Sequence, residues 1–196
     1  MKNLLKIAFY LNITLLVAAC SKTVTRIDPN TQVDLSGRWN DTDSRLVAEE
    51  MSQDALSSSW VRNIELNDIN ASQPVIIVGM ITNKSHEHIE AETFIKDIER
   101  EFIKSNRIRV VQNSVFREKL REERADQQEF ASPETQKKWG RELGADYMMF
   151  GNISSIVDQE GKRKVMFYQV NLELTNIETN EIVWIGDKKI KKYVRN

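Results

Sequence analysis

Residues 74–81 read PVIIVGMI, a continuous apolar run led by a proline. β-Branched side chains dominate it, and a run this short and apolar predicts a strand over 75–82. Successive side chains of a strand point to opposite faces. A strand that is apolar on both faces must lie inside a sheet that is covered on both sides. The chain therefore has to build layers around this segment, and its neighbours are suited to that.

Phe94, Ile98 and Phe102 recur at i, i+4 and i+8, with Ala91 and Ile95 beside them. This stripe predicts a helix over 90–104, closed by Asn106. Upstream, Leu46, Val47, Met51, Ala55 and Leu56, with Trp60 near the end, predict an amphipathic helix over 43–59. Asp41, Thr42 or Asp43 would cap it, and the Ser57-Ser58-Ser59 run would stop it. Downstream, 107–111 reads as a short strand, and Val115, Phe116 and Leu120 start a helix over 114–124. Ser132-Pro133-Glu134 combines a capping hydroxyl, proline at the first helical position and an acid in the first turn. That predicts a second helix with Trp139 and Leu143 facing the core and Gly144 as its left-handed end.

The last third changes period. Residues 145–153 read as a strand, and 158–162 as a hairpin turn. In 164–174, Val170, Leu172 and Leu174 alternate with Gln169, Asn171 and Glu173, the pattern of a sheet with one wet face. A turn at 178–181 leads to a last strand marked by Ile182, Trp184 and Ile190. After the first helix the order is β-α-β-α-α-β-β-β. It specifies an α/β fold: a single domain with a mixed, largely antiparallel sheet flanked by helices, its C-terminal half made of hairpins.

The N-terminus has another logic. Lys2 and Lys6 precede a mostly apolar stretch from Ile7 to Val17, and Ala18 and Ala19 are small. This is the layout of a secretory signal peptide over residues 1–19, and the run falls short of the ~20 apolar residues that span a bilayer. Val17-Ala18-Ala19-Cys20 resembles the bacterial lipobox. The resemblance implies diacylglycerol on the Cys20 sulfur, cleavage before Cys20 and acylation of the new N-terminus. Cys20 is the only cysteine, so an exported domain has no internal disulfide and depends on its core. Residues 20–41 are then a lipidated Cys and a short extended tether, and 42–196 a globular domain. Trp39, alone in the polar lead-in, is expected to pack onto that domain.

Cleavage would remove two lysines and no acid, taking the formal net charge from −1 to −3. That balance points away from nucleic acid. His86 and His88 are the only histidines; with Glu87 and Glu90 they sit in a polar loop without a third strong ligand, so no metal is expected. Gly-rich phosphate loops, GxSxG, HExxH and CxxC are absent, which leaves a non-enzymatic protein without a cofactor. The alternating charges of REKLREER (117–124) read as a solvated helix face. The basic segment DKKIKKYVRN (187–196) reads either as an edge strand guarded by lysines or as a contact for an acidic partner or cell-wall polymer.

Four blocks carry a wider resemblance: DLSGRWNDTDSRLVAEEM (34–51), PVIIVGMITNKSHEHI (74–89), ERADQQEFASPETQKKWGRELGADYMMFGNISSI (123–156) and YQVNLELTNIETNEIVW (168–184). Together they resemble the LpoB family, outer-membrane lipoproteins that activate penicillin-binding proteins. The resemblance implies a fold like the TolB N-terminal domain. It implies a monomeric, non-enzymatic activator that docks on the regulatory domain of a class A penicillin-binding protein and stimulates peptidoglycan synthesis. Ser21 after Cys20 fits outer-membrane delivery, with the domain facing the periplasm. The better-known members carry a long Pro-rich linker, whereas the lead-in here, about 20 residues, spans at most ~65–70 Å. The alternative is an envelope structural or secretion lipoprotein related to the curli exporter's periplasmic core, which would need membrane-spanning hairpins of ~10-residue alternating strands.

Interfaces favour aromatics, Met and Arg among polar neighbours. The candidate docking residues are therefore Asn83, Ser85, His86, Glu87 and His88 in the loop after the first strand, Arg121, Arg124 and Gln127 in the charged stretch, and Tyr147 and Met149 from the 147–150 strand.

Overall fold

The computed structural model describes residues 23–67, 72–137 and 141–195. The signal peptide, Cys20 and Trp139 lie outside the described residues. The chain divides into a unit ending at Gln32 and a body beginning at Val33. Residues 23–32 are exposed, with one turn in which the Asp28 carboxylate accepts the Asn30 N–H at 2.8 Å.

The body runs α1 (Asp41–Ser57), α2 (Ser59–Asn67), β1 (Val75–Lys84), α3 (Ala91–Ser105), β2 (Arg109–Val110), α4 (Ser114–Phe130), β3 (Tyr147–Glu160), β4 (Arg163–Asn176) and β5 (Ile182–Arg195). The five strands form one sheet in the order β2-β1-β3-β4-β5. β1 pairs in parallel with β2 and β3, and β3, β4 and β5 are antiparallel neighbours. The mixed sheet with an antiparallel C-terminal half is the one expected.

β1 is interior, and Val75 to Val78 are all buried. The register shifts between Val78 and Ile81. That bulge changes the parity, so Ile76, Val78 and Ile81 all join the main core cluster. On β3 the residues opposite them, Tyr147, Met149 and Gly151, share that face. The site of Gly151 is closed to a side chain: a Cβ there would lie 2.5 Å from the Asn171 carbonyl oxygen of the neighbouring strand. β4 alternates as its sequence predicts, with Met166, Tyr168, Val170, Leu172 and Leu174 all at 1% exposure or less.

α3 and α1 cover the core face. Phe94, Ile98 and Phe102 are fully buried, each worth roughly 1.5–3 kcal/mol of burial. Asn106 ends α3 in the left-handed conformation at φ 53°. α1 starts at Asp41, two residues before the expected 43, because Asn40 is the cap. Its Oδ1 accepts the Asp43 N–H and the Asp43 carboxylate accepts the Asn40 N–H, both at 3.0 Å, a capping box.

α1 is stitched to the edge strand β5 by polar contacts. Asp43, Glu50 and Asp54 form one stripe along the helix. Lys192 Nζ donates to Asp43 Oδ2 at 2.6 Å, Lys188 pairs with Glu50, and Trp184 Nε1 donates to Asp54 Oδ2 at 2.9 Å.

Several expectations need correction. The serine run stops α1, with Ser58 extended at ψ 169°, but α2 follows at once and buries Trp60 and Val61. Leu46 is 44% exposed, on the outer side of α1. The 107–111 strand shrinks to two residues. α4 continues through the polar stretch to Phe130, since Arg, Glu and Gln are good helix formers without an apolar stripe. The helix expected from Ser132 does not form among the described residues. Ser132 O accepts the N–H groups of Thr135 and Gln136, closing a single turn. Leu143 is 40% exposed, and Gly144 is not among the left-handed residues.

Candidate docking surface

The loop after β1 is folded by its own polar side chains. Asn83 Oδ1 accepts the Ser85 N–H at 2.9 Å and its hydroxyl at 2.6 Å, and Asn83 Nδ2 donates to Glu87 O at 2.7 Å. Asparagine is suited to such a turn because its amide mimics a backbone unit. The result sorts the loop by direction. His86 and His88 are exposed. The His86 N–H donates to Ser155 Oγ at 3.0 Å, and its ring Nδ1 lies 3.1 Å from the same oxygen, tying the loop to β3. Among the described residues no group of three His, Cys, Asp or Glu side chains is placed to hold a metal ion.

Glu87 points the other way. Its Oε1 accepts the Tyr168 hydroxyl at 2.9 Å and its Oε2 the Trp39 N–H at 3.1 Å. The Trp39 ring meets Tyr168 and Phe94 edge-on, with centroids at 5.6 and 6.4 Å. Burial, reinforced by the bond to Glu87, raises the Tyr168 pKa well above that of a free phenol. Trp39 thus packs on the body as expected, and Glu87 is a structural strut in place of the displayed docking residue expected for it.

Arg121 and Arg124 sit on α4, which has no buried residue. The Arg121 guanidinium forks onto Glu142, Nε to Oε1 at 3.0 Å and Nη2 to Oε2 at 2.8 Å, and Nη1 donates to Glu118 at 2.9 Å. Arg124 Nη2 adds a 3.2 Å bond to Glu142. The bond to Arg121 holds the Glu142 carboxyl below the usual carboxylate range. Gln127 Oε1 accepts the Lys137 N–H at 3.2 Å. These three residues fold the segment after α4 back onto the helix. Beside them, Val115, Leu120 and Phe130 are exposed at 64%, 47% and 78%. They are uncovered apolar residues at separate points along α4, of which Val115 and Leu120 are visible in the sequence as an apolar pattern.

Tyr147 is half-buried against Trp60, ring centroids 5.1 Å apart, and burial raises its pKa. Met149 is fully buried and is withdrawn as a docking residue. All four residues of YMMF are apolar, so the sequence gives no parity; the register with β1 turns Tyr147 and Met149 inward and leaves Phe150 37% exposed. The candidates do not form one patch. In the β1–β3 register Tyr147 lies beside Ile76, while the loop leaves β1 beyond Lys84, beside Ser154, roughly 25 Å away at ~3.3 Å per residue.

The family model described as "Peptidoglycan-synthase activator LpoB" matches residues 43–190, from α1 into β5. The chain belongs to the LpoB family. The LpoB C-terminal domain from Escherichia coli is 16% identical, with 76% of this chain and 99% of that chain covered at a TM-score of 0.47. The NMR structure of E. coli LpoB is 13% identical over 91% of this chain and 83% of that one, at 0.44. Lipoprotein GNA1162 from Neisseria meningitidis is 12% identical over 61% and 83%, at 0.37. No curated protein matches the chain by sequence.

Proposed function

We propose that the chain is an outer-membrane lipoprotein, anchored through Cys20 and facing the periplasm, that docks as a monomer on the regulatory domain of a class A penicillin-binding protein. Docking stimulates peptidoglycan synthesis by that enzyme, with no chemistry contributed by this chain. The observation that carries the reading is the family match over 43–190, which takes in β1 to β4 and the first part of β5. The lipobox residues 17–20 support the anchor. Activation by docking requires tighter binding to the active conformation of the synthase than to its resting one.

Two surfaces suit docking: the exposed His86 and His88, and α4 with its uncovered apolar residues. The test uses the purified full chain against each class A synthase of its own organism, measuring affinity and the rate of glycan polymerisation. Binding with a raised rate is expected for at least one of them. His86→Ala with His88→Ala should weaken affinity by about fivefold or more, the ~1 kcal/mol that separates contributing interface residues from neutral ones, at an unchanged melting temperature. No binding and no stimulation with any class A synthase overturns the reading; intact affinity in the histidine variant moves the docking surface to α4.

A further inference from the structure

The basic C-terminal segment splits by strand parity. Lys188 and Lys192 lie beside Val170 and Met166, on the core face, and are held by α1 and the lead-in. Lys191, Tyr193 and Arg195 alternate with them and belong to the opposite face. There Lys191 lies beside Phe167, Tyr193 beside Val165 and Arg195 beside Arg163. Lys191 and Arg195 are exposed, and among the described residues neither has a hydrogen-bond or ion-pair partner. Tyr193 is 62% exposed. Tyr193 and Arg195 also line a cavity of about 620 Å³ that ends at the β3–β4 turn.

On the same face, further along β4, Gln169 and Asn171 stand two residues apart, and Gln169 Nε2 donates to Asn171 Oδ1 at 2.8 Å. Asn171 Nδ2 in turn donates to Asn152 Oδ1 at 3.3 Å, and Lys189 and Asp187, ion-paired at 2.9 Å, lie beside Gln169 and Asn171 on β5. The face therefore carries, in order along the strands, a pair of side-chain amides flanked by an ion pair, then two unpaired cations with an exposed aromatic ring between them. Amides offer paired donors and acceptors to hydroxyl and N-acetyl groups. A phenol ring offers an apolar surface with a polar tip. The cations call for carboxylates.

We propose that this strip binds an acidic amino-sugar polymer, the chemistry of a cell-wall glycan bearing carboxylated peptides. Lys191 and Arg195 meet the carboxylates, Tyr193 packs on the apolar face of a sugar ring, and Gln169 and Asn171 take its amide and hydroxyl groups. The proposal rests on the envelope placement of the reading above and does not use the docking residues. An anionic membrane would need only the cations and the ring; the aligned amides favour the glycan.

The test sediments the purified full chain with isolated peptidoglycan sacculi, and in parallel with vesicles of phosphatidylglycerol and phosphatidylethanolamine. The chain should pellet with sacculi, less so at high salt. Lys191→Glu with Arg195→Glu, and separately Tyr193→Ala, should each weaken that binding by about fivefold. Their melting temperatures and synthase affinities should stay at wild-type values. The proposal is overturned if the wild-type chain stays in the supernatant, if both variants pellet like wild type, or if it binds vesicles and not sacculi. A chain that pellets with sacculi yet stimulates no synthase supports the strip and counts against the docking reading.

Discussion

The Tyr168 hydroxyl donates to Glu87 at 2.9 Å, and the second oxygen of the same carboxylate takes the Trp39 N–H. One side chain thus joins β4, the loop after β1 and the lead-in. Tyr168 is fully buried, so removing its acceptor leaves a buried hydroxyl short of its main partner. Glu87→Ala should lower stability by about 1–3 kcal/mol, the usual cost of an orphaned buried polar group. Tyr168→Phe in that background should add little, because both changes break the same contact. A urea-denaturation double-mutant cycle reads this; full additivity would show that the contact is not shared.

Alkaline pH should destabilise the body through two groups. Burial, then the bond to Glu87, raises the Tyr168 pKa above its ordinary 10.0. Burial pulls the Lys192 ammonium down, but hydrogen bonds to Asp34 and Asp43 outweigh it and leave its pKa above 10.5. The unfolded chain loses both protons at ordinary values while the folded one keeps them, so stability falls as pH rises through that window. The urea midpoint should decline above roughly pH 10, and Tyr168→Phe should make the decline shallower. A midpoint that rises there would contradict the assignment.

Much of this architecture can be read from the sequence because burial imposes a period. Phe94, Ile98 and Phe102 announce α3, and the alternation at Val170, Leu172 and Leu174 announces β4; all six are buried. α4 is harder to delimit because no residue of it is buried, so only helix propensity marks its end. The docking candidates show a further limit. Glu87 and His88 look alike in a polar loop until Tyr168 and Trp39 are placed. Lys191 and Lys192 look alike until the β4–β5 register sends one to solvent and the other to Asp43. Such distinctions come from long-range pairing, which local sequence does not encode.

The Arg121–Glu142 fork makes the segment between α4 and β3 sensitive to acid. The bond to Arg121 depresses the Glu142 pKa below 4.5. Its contribution is therefore present above that value and lost as pH falls through the lower folded one. Both groups are at the surface, so the effect should be local. Amide exchange at residues 141–146, corrected for intrinsic rates, should speed up in acid, and Arg121→Ala should give the same acceleration at neutral pH with the melting temperature hardly changed. Equal protection in the variant would remove the fork as the clasp.

The lead-in sets the reach of the proposed anchor. The body begins at Val33, ahead of the boundary expected at residue 42, because residues 33–40 are held to it. Asn40 Nδ2 donates to Val33 O, Lys192 bonds Asp34, and Gly37, at φ 69°, comes so close to Val194 that a Cβ there would clash. From Cys20 to Val33 a fully extended chain spans about 43–47 Å, at 3.3–3.6 Å per residue, in place of the ~65–70 Å allowed by a tether of about 20 residues. Deleting residues 24–31 would cut that to roughly 17 Å without touching the body. The shortened chain should activate its purified synthase as well as wild type in detergent, yet fail to support peptidoglycan synthesis in cells. Restoring the length with an unrelated Gly/Ser stretch should restore function. Full activity of the deletion in cells would show that reach from Cys20 does not limit contact with the synthase.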